Sequence, residues 1–222
     1  LTDGRAVRFP VRAHSTVISA LSMAANDTQV VSASLDGDLA VWDRVTGTRI
    51  HQLLGHQGEV FDLAVFPDGI KCASVDRNSM VRIWDLQKGE LLREFAAATR
   101  PLSAVAVSAD GTLLATASWA GGIKLWSLQD TAAEPRLLEG HRGVVNRLVF
   151  APDTTTLVSC SRDKTTRIWD VASGRERFVL EGHRAPVNGL AVSPDGTLVA
   201  TASEDQSVKI WSLAEGKTLH RI

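Results

Sequence analysis

Cysteine is scarce in this 222-residue sequence: Cys72 and Cys160 are the only two, and both lie in apolar, strand-like runs. That usage argues against a disulfide framework and for buried free thiols, which fits a reducing cytoplasmic compartment. No apolar stretch approaches the ~18 residues that a membrane-spanning helix needs, and no signal peptide is visible. Charge of one sign is lacking too. The formal net charge is -1 and no run of five like charges occurs, so neither a nucleic-acid footprint nor a membrane patch is expected. Metal-ligand spacings such as His-x3-His or Cys-x2-Cys are missing, and no glycine-rich phosphate loop follows a strand and opens a helix. No metal and no cofactor is therefore expected, and Gly121-Gly122 is read as turn glycine. What remains, 44% hydrophobic and 22% charged with a mean hydropathy of +0.01, is the balance of a globular domain with a buried core.

What is present is a rhythm. Five of the six tryptophans, Trp42, Trp84, Trp126, Trp169 and Trp211, are spaced by 42, 42, 43 and 42 residues, which marks a repeat array. A histidine stands 28 residues before four of them, at His14, His56, His141 and His183, with Ala98 in its place in the third repeat. Turns centred on Asp68, Asp110, Asp153 and Asp195 fall 16 residues before the later four tryptophans, and Asn26-Asp27-Thr28 is the first, shifted by one. Between these marks lie short β-branched runs such as Leu198–Ser203 and Val208–Trp211, about four per repeat and too short for helices. Four strands in ~42 residues cannot bury their own faces, so neighbouring sheets must stack, and radial stacking gives an all-β propeller.

The polar residues recur with the same period. Six before each Trp come Asp36, Asn78, Ala120, Asp163 and Asp205, and eight before come Ser34, Asp76, Ser118, Ser161 and Ser203. Ser161, His141 and Asp163 have the residue types of a hydrolase triad. The His-to-Asp spacing of 22 residues nevertheless occurs three times, from His14, His141 and His183. Catalysis needs one copy, whereas a sheet needs its own, so repetition points to scaffolding. His51 and His220, each nine after a Trp, are read as surface residues.

Through Gly55-His56 to Trp84-Asp85, Gly140-His141 to Trp169-Asp170, and Gly182-His183 to Trp211-Ser212, the whole chain resembles the WD-repeat β-propellers. The resemblance implies five four-stranded blades, at about 17–54, 60–96, 102–139, 144–181 and 187–222. It also implies a buried network in which Asp holds His, His holds Ser and Ser holds the Trp ring nitrogen. Its members here would be His14, Ser34, Asp36, Trp42, His56, Asn78, Trp84, His141, Ser161, Asp163, Trp169, His183, Ser203, Asp205 and Trp211. Repeat 3, with Ala98 and Ala120, is expected to be the softest, and repeat 2, with Asp76 and Asn78, to be rewired.

The resemblance further implies that the His and Asp turns cluster on one end of the ring and receive a protein or peptide partner. The positions facing it would be Val17, Ser19 and Leu35; Glu59, Phe61 and Arg77; Pro101, Ser103 and Trp119; Val144, Asn146 and Arg162; Pro186, Asn188 and Glu204. Phe61, Arg77 and Trp119 are the expected anchors, because Trp and Arg are enriched where few contacts carry binding; a second reading packs Trp119 under a neighbouring loop. Asp3-Gly4-Arg5 matches Ser173-Gly174-Arg175, which places residues 5–11 as the outer strand of a preceding or closing blade. A larger propeller with further blades from the same parent chain is favoured over a closed five-ring, and an open assembly would self-associate. The expected function is a protein-interaction scaffold, with a channel enzyme or a passive spacer as alternatives.

Overall fold

Short β-branched and alanine-rich runs, interrupted every few residues by Gly, Asp, Asn or Pro, leave no window long enough for a helical stripe. The computed structural model describes residues 13–24 and 27–222, and these contain strands and no helix. Twenty strands form five four-stranded antiparallel sheets, each with its strands in chain order across the sheet. Blade 1 holds β1 (Ile18–Met23), β2 (Gln29–Ser34), β3 (Leu39–Asp43) and β4 (Arg49–Leu53); blade 2 holds β5 (Val60–Val65), β6 (Lys71–Asp76), β7 (Met80–Asp85) and β8 (Glu90–Ala96). Blade 3 holds β9 (Leu102–Val107), β10 (Leu113–Ser118), β11 (Ile123–Ser127) and β12 (Arg136–Leu138); blade 4 holds β13 (Val145–Phe150), β14 (Thr156–Ser161), β15 (Thr166–Asp170) and β16 (Glu176–Leu180). Blade 5 holds β17 (Val187–Val192), β18 (Leu198–Ser203), β19 (Val208–Ser212) and β20 (Thr218–Arg221).

The aspartate turns close the first hairpin of four blades. Asp68, Asp110, Asp153 and Asp195 each accept, on one carboxylate oxygen, the N–H two residues on, at 2.8 to 3.0 Å. The turn between the second and third strands carries a left-handed residue in every blade: Gly37, Ser79, Gly121, Lys164 and Gln206, with φ from 66° to 93°. A single αL residue lets so short a connection return the chain antiparallel.

The core lies between blades rather than inside them. Val31, Leu39 and Leu53 pack with Val60, Cys72 and Trp84 between blades 1 and 2. Ala73, Val81 and Ile83 pack with Leu102, Leu114 and Trp126 between blades 2 and 3. Ala115, Ile123 and Leu138 meet Val145, Leu157 and Trp169 between blades 3 and 4, and Val158 and Ile168 meet Val199 and Trp211 between blades 4 and 5. Each repeat tryptophan from Trp84 onward thus fills the seam with the blade before it. The innermost strands follow the same order, β1 on β5, β5 on β9, β9 on β13 and β13 on β17.

No fifth core joins blade 5 to blade 1 among the described residues. Among the described residues four interfaces join the five blades, and the first and last blades show apolar side chains: Leu21 is 65% exposed on β1 and Leu198 38% on β18, while β14 in blade 4 is buried at all six positions. Trp42 is half-buried where Trp84 and Trp169 are 1% exposed, because no described blade precedes it. The expected outer strand at 5–11 lies outside the described residues.

Candidate functional site

Blade 4 shows the repeated polar group in full. The Trp169 Nε1–H, which can only donate, gives its proton to Ser159 Oγ at 2.8 Å. Ser159 then uses its own proton toward His141 Nε2, 2.8 Å away, which leaves His141 Nδ1 protonated and donating to Asp163 at 2.8 Å. Burial opposes the charge on Asp163, but hydrogen bonds from His141, Thr165 and the Arg142 N–H outweigh it and hold the carboxyl below its ordinary range. Blade 5 repeats the chain through Trp211, Thr201, His183 and Asp205, at 2.9, 2.8 and 3.0 Å. In blade 1 Trp42 and His14 meet Ser32 at 2.9 and 2.7 Å, while Asp36 stands 3.6 Å from the ring and accepts the Ser15 N–H and O–H instead.

The hydroxyl at the centre is therefore not the expected one. Ser32, Ser74, Thr116, Ser159 and Thr201 receive the indole N–H, ten residues before Trp; Ser34, Ser161 and Ser203, eight before, do not. Register gives the reason. Trp169 lies opposite Leu157 on β14, so Ser159 is its diagonal neighbour on the same face, and Ser161 is a further two residues along at the turn. Ser34, Ser161 and Ser203 instead accept the N–H of Asp36, Asp163 and Asp205 at 3.1 to 3.2 Å. The five-fold hydroxyl at minus ten was visible in the sequence, whereas position minus eight is broken by Asp76.

Blade 2 is rewired. His56 Nδ1 is 2.7 Å from Asp76, and Asn78, the expected partner, is exposed and makes no side-chain hydrogen bond among the described residues. Arg82 closes the group, 2.7 Å from His56 Nδ1 and 3.3 Å from Asp76. Burial, with Arg82 adding to it, pushes the His56 pKa down, so the ring is neutral at pH 7. Blade 3 keeps only Trp126 on Thr116, at 2.9 Å. None of the imidazoles of His14, His56, His141 and His183 is more than 2% exposed at the side chain.

Two inner-strand charges went unread in the sequence. Asp62 on β5 and Arg147 on β13 are the only charged residues on the five inner strands, at the same repeat position two blades apart. Asp62 accepts the Val105 N–H at 3.0 Å and Arg147 Nη1 at 3.2 Å, tying three blades across a channel of about 430 Å³. Burial raises its pKa to about 6 against the pull of Arg147.

Ten of the fifteen residues expected to meet a partner fall into three groups. Phe61 and Trp119 lie with ring centroids 5.6 Å apart and, with Ser103, Val144, Asn146 and Arg162, line an open cavity of about 250 Å³. Trp119 is 44% exposed, so it does not pack beneath a loop. Asn146 donates to Asn188 at 2.8 Å, and Asn188 to Glu204 at 3.0 Å, a polar rim beside the cavity. Arg77 stands apart, donating to both carboxylate oxygens of Glu59 at 2.9 and 3.0 Å. His51, expected in solvent, is half-buried and 2.9 Å from the Gln87 carbonyl of blade 2.

Comparison with known proteins places these features in a family context. The family described as "WD domain, G-beta repeat" matches residues 6–43, 47–85, 89–127, 134–170 and 174–212. A guanine nucleotide-binding protein subunit beta of Oryza sativa subsp. japonica is 25% identical over 168 residues, 74% of this chain and 34% of the relative. Striatin-4 of Homo sapiens is 26% identical over 177 residues, 75% of this chain and 19% of the relative. A WD repeat-containing protein 89 homolog of Dictyostelium discoideum is 46% identical over 39 residues, 18% of this chain and 11% of the relative. The chain thus spans about a third or less of the length of these relatives.

Proposed function

The chain belongs to the WD domain, G-beta repeat family, and from that premise we propose that it is a non-enzymatic scaffold docking a protein or peptide at the Phe61–Trp119 cavity. Family and relatives support an interaction scaffold in general; the particular surface is our reading. The exposure of Trp119 against Phe61 carries it. The other five tryptophans have a structural task, their ring nitrogens each held by a hydroxyl, whereas Trp119 offers an apolar plane to solvent. Arg162 on the same cavity makes no ion pair among the described residues. The pairing of an aromatic wall with a free guanidinium suits a segment with an apolar side chain beside a carboxylate. The burial and repetition of the His–Ser–Asp groups support the non-enzymatic part. A cytoplasmic location, and service as the docking module of a longer multidomain protein, belong to the same proposal; two buried, unpaired thiols support the former.

Selection from a displayed random-peptide library tests the reading. Enriched peptides should carry an aromatic or large aliphatic residue near Asp or Glu, and Trp119→Ala should weaken them about tenfold or more. Arg162→Glu should select against the acidic residue. Full affinity in a folded Trp119→Ala variant would refute the site.

A further inference from the structure

Blade 3 has a vacancy that the rest of the fold defines. Ala98 and Ala120 stand where blades 1, 4 and 5 place His and Asp. The space so left is a solvent-open cavity of about 160 Å³ bordered by Thr99, Arg100, Thr116 and Lys124, and no Asp or Glu lines it. At roughly 30 Å³ per water, that is room for about five waters or one small organic molecule.

The other blades show what such a space is shaped to hold. The Asp carboxylate there accepts the N–H of the residue after His, from Ser15 at 2.8 Å, Arg142 at 3.0 Å and Arg184 at 2.8 Å. It also accepts the N–H two residues beyond itself, from Asp38, Thr165 and Ser207, at 2.9 to 3.1 Å. The matching amides in blade 3 belong to Thr99 and Gly122, and neither donates to a protein acceptor among the described residues.

A cation completes the arrangement. Lys124 Nζ donates to the Ala97 carbonyl at 2.8 Å and sits 5.4 Å from the Trp126 ring centroid, with no carboxylate partner among the described residues. In blades 2 and 4 the same position is Arg82 and Arg167, and each pairs with a carboxylate, Glu94 and Glu176. Two free amides, an ammonium without a carboxylate partner and Arg100 on the lining favour an anion, and in blades 1, 4 and 5 the corresponding two amides bond a single carboxylate.

We propose that this cavity binds a small monocarboxylate, whose carboxylate occupies the position of the aspartate side chain that blade 3 lacks. The test is a 15N–1H spectrum of the full chain titrated with sodium acetate, with sodium chloride and acetamide as controls at equal concentration. Thr99 and Gly122 should shift saturably with acetate alone. Ala120→Asp, which supplies a tethered carboxylate, should abolish the titration. Lys124→Met should weaken it about tenfold, the loss expected for one charge-assisted contact. If acetamide or chloride moves both amides as acetate does, the proposal fails. Unchanged titration of a folded Ala120→Asp or Lys124→Met variant would overturn it equally.

Discussion

Replacing Ser159 by alanine should destabilise blade 4 several times more than the same change at Ser161, two residues away on the same face of β14. Ser159 is fully buried, accepts the Trp169 indole proton and donates to His141 Nε2, both at 2.8 Å. Trp169 is 1% exposed and His141 7%, so water cannot replace the lost hydroxyl for either. An unsatisfied buried polar group costs about 1–3 kcal/mol, and two of them give about 2–6 kcal/mol. Ser161 also makes two bonds, to the Asp163 N–H and the Gly143 carbonyl at 3.1 Å, but both partners lie in half-buried turns that solvent reaches. Its removal should cost about 1 kcal/mol. Thr116→Val in blade 3 falls between, since only the Trp126 proton loses its acceptor there. Native-state hydrogen exchange of the β14 and β15 amides reads these differences blade by blade, which a single global transition of a repeat protein would blur. Equal effects of the two serine substitutions, or a cost below about 1 kcal/mol at Ser159, would refute the reasoning.

Gly121→Ala should loosen the junction of blades 3 and 4 by about 2 kcal/mol or more: φ is +88° and the added Cβ would lie 2.6 Å from the His141 carbonyl oxygen, a backbone atom. Urea titration of the variant, with the midpoint lowered at constant slope, checks it. Asp62 and the brace aspartates should act oppositely on stability against pH. Asp62 has its folded pKa raised from 3.8 to about 6, so the folded state holds the extra proton and stability falls as pH rises from about 4 to 6, by about 3 kcal/mol in all. Asp163 and Asp205 are depressed, so their contribution is present above pH 4 and is lost as pH falls below it. Asp62→Asn should remove the first leg and spare the second. Cys72 and Cys160 are buried, and burial pushes the Cys160 thiol to about 12. Neither should react with a disulfide reagent until urea opens its blade, and prompt labelling at pH 8 would contradict their placement.

The period, the turns and the identity of the stacking tryptophans were legible because each is local. A hairpin needs its turn residue at a fixed offset, and a seam needs its indole in the same register every time. The brace was half legible. His and Asp sit in loops, where the repeat gives their position directly, but the hydroxyl sits inside a strand, where a two-residue error leaves the face unchanged and only the pairing of Trp169 with Leu157 decides it. Asp62 and Arg147 were not read because their partner is chosen across the channel, 85 residues away. The aromatic cavity could be assembled only in part: Phe61 and Trp119 share it, while Arg77 is drawn to Glu59 on its own blade and Arg162 takes the place beside the rings.

The central claim is that the repeated polar groups brace stacked sheets from within and leave one tryptophan for the surface. Hydrogen–deuterium exchange of the six indole Nε1 protons, followed by NMR, tests it most directly. Trp84, Trp169 and Trp211 should exchange slowest, the half-buried Trp42 and Trp126 faster, and Trp119 within the dead time. A Trp169 indole proton that exchanged as fast as that of Trp119 would contradict the account.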